Sequence, residues 1–172
     1  MEEQNSFDND PRRKQEIYGR SIADVIYRNI WGDIDISRND DAHKAVLDRE
    51  FAIDVTIKMP NGMVLNGQEK FLSHKYLSYL SLTVEYMQNA STEEQGDWFK
   101  LAPQFYTCAY FNETGSDFDK YVIVDWAQMV LGSNTGLINW RYNKNKDGHA
   151  RASFKYVQFN EIPDGCIIDK KT

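Results

Sequence analysis

Two segments of alternating apolar and polar residues, separated by a short turn, constrain the fold of this chain more than any other feature. Every second residue is apolar over 51–58, and a second strand-like segment runs over 63–72. Alternation with a period of two is typical of a half-buried β-strand. The intervening Pro60-Asn61-Gly62 is a turn signal, and Asn-Gly favours a tight hairpin. The sequence therefore predicts a β-hairpin from Phe51 to Leu72.

The rest of the chain predicts further elements around this hairpin. Apolar residues recur at helical spacing from Lys14 to Trp31, and Gly32 is a plausible stop signal. Residues 33–44, with four aspartates, predict an acidic surface loop. The other patterns predict a short helix over 74–79, a helical turn over 127–131, and strands over 81–87, 105–111, 120–126, 137–142 and 152–159. The predicted fold class is α/β, with a central mixed sheet, mostly antiparallel, flanked by helices.

Length and composition set limits on the class of protein. A chain of 172 residues predicts a single domain, which we place at 14–172 after a flexible polar tail over 1–13. Its two cysteines fit a reducing compartment, and the lack of a signal peptide or an apolar run predicts a cytoplasmic location and no membrane contact. The net charge of −6 argues against non-specific coating of nucleic acid, but it does not exclude a local basic groove.

The hairpin also carries the residues with the clearest chemical potential. Asp54 lies on its first strand, and Gln68, Glu69 and Lys70 lie on the second. Residues i and i+2 of a strand share a face, so Gln68 and Lys70 project together and Glu69 projects the other way. If Asp54 lies opposite them, one face holds a carboxylate, an amide oxygen and an ammonium group. Oxygen ligands suit Mg²⁺, and a lysine can orient water or stabilise phosphate charge, so the set suits metal-assisted phosphodiester hydrolysis.

The pattern IDVTI–turn–GQEKF resembles the core of the PD-(D/E)XK nuclease superfamily, in which an aspartate on one strand precedes acid-any-lysine on the next. Asp54 matches the aspartate and Lys70 the lysine, whereas Gln68 stands where an acid is usual. The resemblance covers about residues 14–88, in the order helix–strand–strand–helix–strand. It implies a restriction-endonuclease-like fold.

The resemblance also implies a function and a set of roles. The function is metal-dependent hydrolysis of DNA, in phage or prophage DNA processing or in bacterial defence. Asp54, Gln68 and the backbone carbonyl of Glu69 would bind Mg²⁺ or Mn²⁺, Lys70 would position water or stabilise the phosphate, and Glu16 on the preceding helix would assist. Many such nucleases form homodimers to cut both strands, and the sequence leaves the oligomeric state open, together with endonuclease or exonuclease action and DNA or RNA as substrate.

A basic segment near the C-terminus is the candidate nucleic-acid interface. Residues 139–155 hold five basic side chains and one acid, with aromatic residues interleaved. Basic groups contact phosphates and aromatic rings stack on exposed bases, although an ordinary solvated loop would have the same composition. The predicted contacts are Trp140, Arg141, Lys144, Lys146, Arg151 and Lys155.

Simpler interpretations and two rival functions stay open. Asp54 and Lys70 could be surface residues, and Glu16 belongs to a row of alternating charges that explains it without catalysis. Asp48 and Asp125 are two further carboxylates, the second of which fits a helix cap. The first rival function is a nucleic-acid-binding protein that kept the nuclease fold and lost catalysis, as the neutral Gln68 suggests. The second is a protein-interaction protein, such as a host-takeover or inhibitor protein, that uses acidic and aromatic surfaces.

Overall fold

The helices and strands of the chain are given by a computed structural model, which describes residues 11–38, 45–89, 92–144 and 152–172. The helices are α1 (Pro11–Trp31), α2 (Ala45–Phe51) and α3 (Trp126–Asn134). The strands are β1 (Asp35–Arg38), β2 (Val55–Lys58), β3 (Val64–Leu72), β4 (Ser81–Asn89), β5 (Glu94–Gln95), β6 (Phe105–Phe111), β7 (Phe118–Asp125), β8 (Arg141–Lys144), β9 (Ser153–Gln158) and β10 (Ile167–Lys171). Short 3-10 helices cover His74–Tyr79, Asp97–Phe99, Phe159–Glu161 and Asp164–Cys166.

The strands form two sheets. The first has six strands in the order β1-β2-β3-β6-β7-β10, and the second has four in the order β5-β4-β9-β8. In the first sheet β3 and β6 are parallel, whereas every other neighbouring pair is antiparallel. The central strand β6 is buried along its whole length, as its continuous apolar and aromatic sequence requires. The central sheet is therefore mixed, as predicted.

Different layers cover the two faces of the six-stranded sheet. Helix α1 covers one face, where Ala23 and Tyr27 pack in a cluster with Val55, Ile57 and Phe105. The second sheet and α3 cover the other face, and the residues they bring to that core include Leu82, Val84, Met129 and Val157. The predicted α/β class with a central mixed sheet and flanking helices is confirmed. A four-stranded sheet supplies most of the layer opposite α1.

The start of the predicted hairpin differs from the expectation. Residues 45–51 form α2, Ala52 adopts a positive φ of 49°, and β2 begins only at Val55. The Lys100 ammonium donates to the carbonyls of Asp48 (3.3 Å) and Arg49 (2.9 Å), so a distant side chain caps the end of α2. The alternation over 51–58 could not reveal this tertiary contact. The turn at residues 60–62, with Gly62 at φ 84°, and strand β3 agree with the prediction.

Several other predictions are confirmed or corrected. The 74–79 helix and the following strand are present, and Gly32, at φ 79°, ends α1. Strand β1 replaces part of the predicted acidic loop, whose residues 39–44 lie outside the described residues, and β10 was not predicted. The strand predicted over 137–142 is wrong in position, because the strand there covers 141–144. Helix α1 begins at Pro11, within the predicted 1–13 tail, and residues 1–10 lie outside the described residues.

Within the described ranges, no helix has the length and apolar composition that crossing a membrane requires.

Candidate active site

The register of the β2–β3 hairpin brings Asp54, Gln68 and Lys70 to one face of the six-stranded sheet. Val55 pairs with Gly67, which places Asp54 beside Gln68. The Asp54 backbone N–H donates to the Gly67 carbonyl (2.9 Å), and Asp54 Oδ2 accepts a hydrogen bond from the backbone N–H of Glu69 (3.0 Å). Lys70 lies two residues after Gln68 on the same strand and therefore on the same face.

The Glu69 side chain points to the opposite face and is held in a buried network. Arg38 donates to both of its carboxylate oxygens, through Nε (2.9 Å) and Nη2 (2.9 Å), and the Tyr27 hydroxyl donates to Oε1 (3.0 Å). Arg38 also pairs with Asp24 (2.7 Å). Because the N–H and C=O groups of one strand residue point to the same side, the Glu69 carbonyl faces the edge where Asp54 lies. The Glu69 side chain is therefore structural, whereas its carbonyl belongs to the site.

Asp54 lies in an environment crowded with negative charge. Burial raises the pKa of Asp54 to about 7, the Glu69 N–H partly offsets this, and the charges of Asp48, Glu69 and Asp97 raise it further. The charge of Asp48, on α2, acts on the Asp54 carboxyl, and burial is the largest cause of the raised pKa of Asp48 as well. Two carboxyl groups whose charges act on each other favour a shared proton or a bound cation.

Gln68 supplies an unpartnered oxygen at the same place. Only 6% of its surface is exposed, and its Oε1 atom accepts no hydrogen bond from any residue that the structure describes. A buried polar atom without a partner is costly and uncommon, so it calls for a ligand.

The residues present fit a hard divalent cation such as Mg²⁺. The available donors are the carboxylates of Asp48 and Asp54, the Gln68 Oε1 atom and the Glu69 carbonyl, all of them oxygens. In the described part of the chain, no group of three or more His, Cys, Asp or Glu side chains could hold a metal ion. A cation here would thus depend on the neutral Gln68 oxygen and the main chain as well as on carboxylates.

Lys70 faces a second group of residues that the sequence did not reveal. Its ammonium lies 5.7 Å from the centroid of the Phe154 ring. Burial raises the pKa of Glu85, on β4, and the positive charge of Lys70 partly offsets this. The charge of Asp97 acts on Asp48, Asp54 and Glu85 alike. Glu85 and Asp97 come from elements distant in sequence, and the only local signal was a charged residue within the strand-like segment SLTVEYM.

Glu16 lies at the margin of this arrangement. Its exposed carboxylate pairs with Arg20 one helical turn away (2.7 Å), as its row of alternating charges suggested. Its charge contributes weakly to the raised pKa of Asp48, which is mainly an effect of burial. The structure thus places Glu16 within electrostatic reach of Asp48, in an ion pair of its own.

The predicted nucleic-acid interface is only partly described. Lys146 and Arg151 lie outside the described residues, as does the side chain of Lys144. Arg141 donates two hydrogen bonds to Glu161, and Trp140 donates to Ser133 Oγ (2.7 Å) while its ring packs against Trp98 and Trp126. The Lys155 ammonium lies 4.1 Å from the Trp98 centroid and 4.9 Å from the Tyr86 centroid. Trp140 therefore belongs to an internal aromatic cluster, whereas Tyr142 is half exposed.

Other features of the chain lie apart from this face. One surface cavity of about 270 Å³ is lined by Asp33, Asp35, Lys58 and Pro60, among others. A second, of about 290 Å³, lies between α3 and the loop that ends at Cys166. Both cysteines are free and buried, and Asp125 accepts a hydrogen bond from Gln128 N–H (3.0 Å) as the N-cap of α3.

Comparison with known proteins gives little beyond this geometry. No protein-family model matches the sequence, and no curated protein matches it. Among solved structures, the chain is similar to restriction endonuclease MspI in complex with its cognate DNA. The match covers 84% of this chain and 83% of that chain, with 12% sequence identity and a TM-score of 0.41. The function of this chain is therefore inferred from its own side chains.

Proposed function

We propose that this protein is a metal-dependent nuclease that hydrolyses DNA phosphodiester bonds at the face formed by Asp54, Gln68 and Lys70. One observation carries the proposal: Gln68, whose buried Oε1 atom has no partner among the described residues, lies beside the half-buried Asp54, and the charge of the exposed Asp48 acts on Asp54. A divalent cation would satisfy the orphan oxygen and neutralise the crowded negative charge. The nearby ammonium of Lys70 suits the charge of a phosphate.

Each residue of the site has a role in this proposal. When bound, Mg²⁺ or Mn²⁺ supplies Lewis acidity and a water molecule of lowered pKa. The cation is held by Asp54, Gln68 and the Glu69 carbonyl. Asp48 adds a second carboxylate, which the motif lacks because Gln68 stands at its acidic position. Lys70 orients the attacking water or stabilises charge on the phosphate. Glu16 acts indirectly, through the charge that it adds at Asp48.

The substrate would be held by basic residues outside the metal-binding face. Lys155 and the other basic side chains of the 139–155 segment are proposed to contact the DNA backbone, since phosphate contacts position a substrate without reading its sequence. A homodimer, which would present two such sites, is part of the same proposal.

The test is DNA cleavage in Mg²⁺ or Mn²⁺ by the wild type and matched variants. We expect Asp54→Asn and Lys70→Ala each to lower cleavage of plasmid, linear and single-stranded DNA by at least about 100-fold, the scale seen when a group that stabilises charge is removed. Asp164→Asn and Lys170→Ala are the controls, because these residues form an exposed ion pair away from the site. Cleavage that survives in both Asp54→Asn and Lys70→Ala would overturn the assignment.

A second candidate function is nucleic-acid binding without catalysis, and the neutral Gln68 favours it. A neutral ligand weakens the attraction for a cation, so the chain could keep the binding surface and lose turnover. This alternative predicts salt-sensitive DNA binding in the same samples, with no cleavage in either metal. A chain that neither cuts nor binds DNA would favour the protein-interaction hypothesis.

A further inference from the structure

Three aromatic rings form a half-exposed ledge at one end of the second sheet. Tyr86 of β4 is the central ring, with Phe99 on one side (centroids 4.9 Å apart, planes at 43°) and Tyr142 of β8 on the other (5.5 Å, 86°). Phe99 is 45% exposed and Tyr142 is 51% exposed. We call these three residues the aromatic ledge.

The ledge is a fixed surface that carries a positive charge. Each outer ring packs against Tyr86, so the rings hold one another in place without being buried. Tyr86 is the extra residue of a β-bulge, because Glu85 pairs with Phe154 and Met87 pairs with Ser153. Bulges re-aim side chains and are frequent beside functional sites. The Lys155 ammonium lies over Tyr86, so the ledge is both aromatic and cationic.

The ledge also adjoins the candidate active site. Three elements contribute both to the surroundings of that site and to the ledge. In each of them, one residue lies near the site and a residue close to it in sequence belongs to the ledge or is Lys155. These pairs are Glu85 and Tyr86 on β4, Asp97 and Phe99 in one 3-10 helix, and Phe154 and Lys155 on β9. Asp97 acts on the charge of Asp54, and Phe154 contacts Lys70. Because neighbouring residues of a strand project to opposite faces, Phe154 and Lys155 place the site and the ledge on the two sides of β9, so a nucleic-acid strand at Lys70 would pass around the second sheet to reach the ledge.

We propose that the aromatic ledge stacks unpaired nucleobases, so that the substrate of the neighbouring site is a single-stranded stretch of nucleic acid. This inference rests on the proposed function, because it names the substrate class of that same site. Every base has a flat π-face that can stack on Tyr or Phe, and a nearby lysine suits the phosphates between the bases. Paired bases lie inside the duplex stack, where they are not available to the ledge.

The test is binding in EDTA, where cleavage does not interfere. Fluorescence anisotropy compares a labelled oligothymidine with an abasic strand of the same length and charge, and with a duplex. We expect the wild type to prefer the oligothymidine. Phe99→Ala and Tyr142→Ala should weaken its binding roughly five- to hundredfold and leave binding of the abasic strand unchanged. Tyr142→Trp should keep the preference.

Tyr79→Ala is the matched control. Tyr79 is 62% exposed and packs against Tyr76, which carries its own lysine, Lys75, at 4.8 Å. The Tyr79→Ala variant should therefore bind the three nucleic acids like the wild type. Equal affinity of the wild type for oligothymidine and abasic strand, or an equal loss in Tyr79→Ala, would overturn the ledge and leave the proposed nuclease intact. A wild type that binds none of the three nucleic acids in EDTA would overturn the ledge, and one that also cleaves none of them in Mg²⁺ or Mn²⁺ would overturn the proposed nuclease as well.

Discussion

Asp54 is the residue whose protonation most affects this site. Burial raises its pKa from 3.8 to about 7, with further contributions from Asp48 and Asp97. Between these two values the unfolded chain has lost the proton that the folded chain still holds. The free energy of unfolding of the metal-free protein should therefore fall as the pH rises from about 4 to 7, and it should stay low above that range.

Asp54→Asn removes this ionisation. At pH 8 without metal, we expect the variant to melt on the order of 5 °C above the wild type, because it avoids the cost of burying a carboxylate. Its amide oxygen can still accept the Glu69 N–H. At pH 5, where the wild-type carboxyl is protonated, the two should melt alike. Thermal unfolding at both pH values checks this, and a variant no more stable than the wild type at pH 8 would contradict it.

Gln68 is the residue at which the charge of the site can be adjusted. Gln68→Glu adds a third carboxylate beside Asp48 and Asp54, so we expect a lower melting temperature without metal. Mg²⁺ should raise that temperature by at least twice as many degrees as in the wild type, since tighter binding to the folded state gives a larger shift. Titration of Mg²⁺ in a thermal unfolding assay at pH 8 measures this. A shift no larger than in the wild type would argue against Gln68 as a ligand.

At the scale of elements, one buried ion pair connects three of them on the face opposite the candidate site. Arg38 of β1 pairs with Glu69 of β3 and with Asp24 of α1, and Tyr27 of α1 completes the network. The Glu69 side chain is only 3% exposed. Because Glu69 stands between Gln68 and Lys70, this network also holds the strand that carries the site.

Arg38→Met should destabilise the protein by about 3–5 kcal/mol, because it leaves the Glu69 charge buried without its partner. Arg38→Met combined with Glu69→Gln should recover part of that loss, since the second change removes the stranded charge. Urea unfolding of the two variants and the wild type gives the comparison. If the double variant were less stable than Arg38→Met alone, the buried charge would not be the cause.

The local sequence pattern is enough to predict those elements whose pairing partners are near in sequence. The pairing of β2 with β3 follows from alternation and one turn, and it brings Gln68 beside Asp54, although Asp54 itself precedes β2 by one residue. Helix α2 was missed because its end is capped by Lys100, and β10 was missed because its pairing with β7 is non-local. Glu85 and Asp97 reach the site from other elements, so no spacing within the hairpin motif could predict them.

At the scale of the whole molecule, the two sheets share one core. Leu82 and Val157 of the second sheet pack in one cluster with Tyr106 and Val122 of the first. We therefore expect Leu82→Ala, which leaves a cavity at a fully buried position, to cost about 2–5 kcal/mol and to keep one unfolding transition. Far-UV circular dichroism and tryptophan fluorescence should give coincident curves. Separate transitions would show that the sheets unfold independently.

The parallel pairing of β3 with β6 has a consequence for how the protein reaches its native state. Strand β3 finds β2 across a short turn, but Gly67 meets Phe105 only after the chain has passed through β4 and β5. The entropy cost of closing a long loop delays such distant contacts. The hairpin can therefore form early, before β3 pairs with β6 along its other edge. A chain emerging from the ribosome would present Gln68 and Lys70 long before the strands that surround them exist. The hairpin residues of the candidate site can therefore come together early, whereas Glu85, Asp97 and strand β6 enclose them late in folding, and a truncated chain would lack that enclosure.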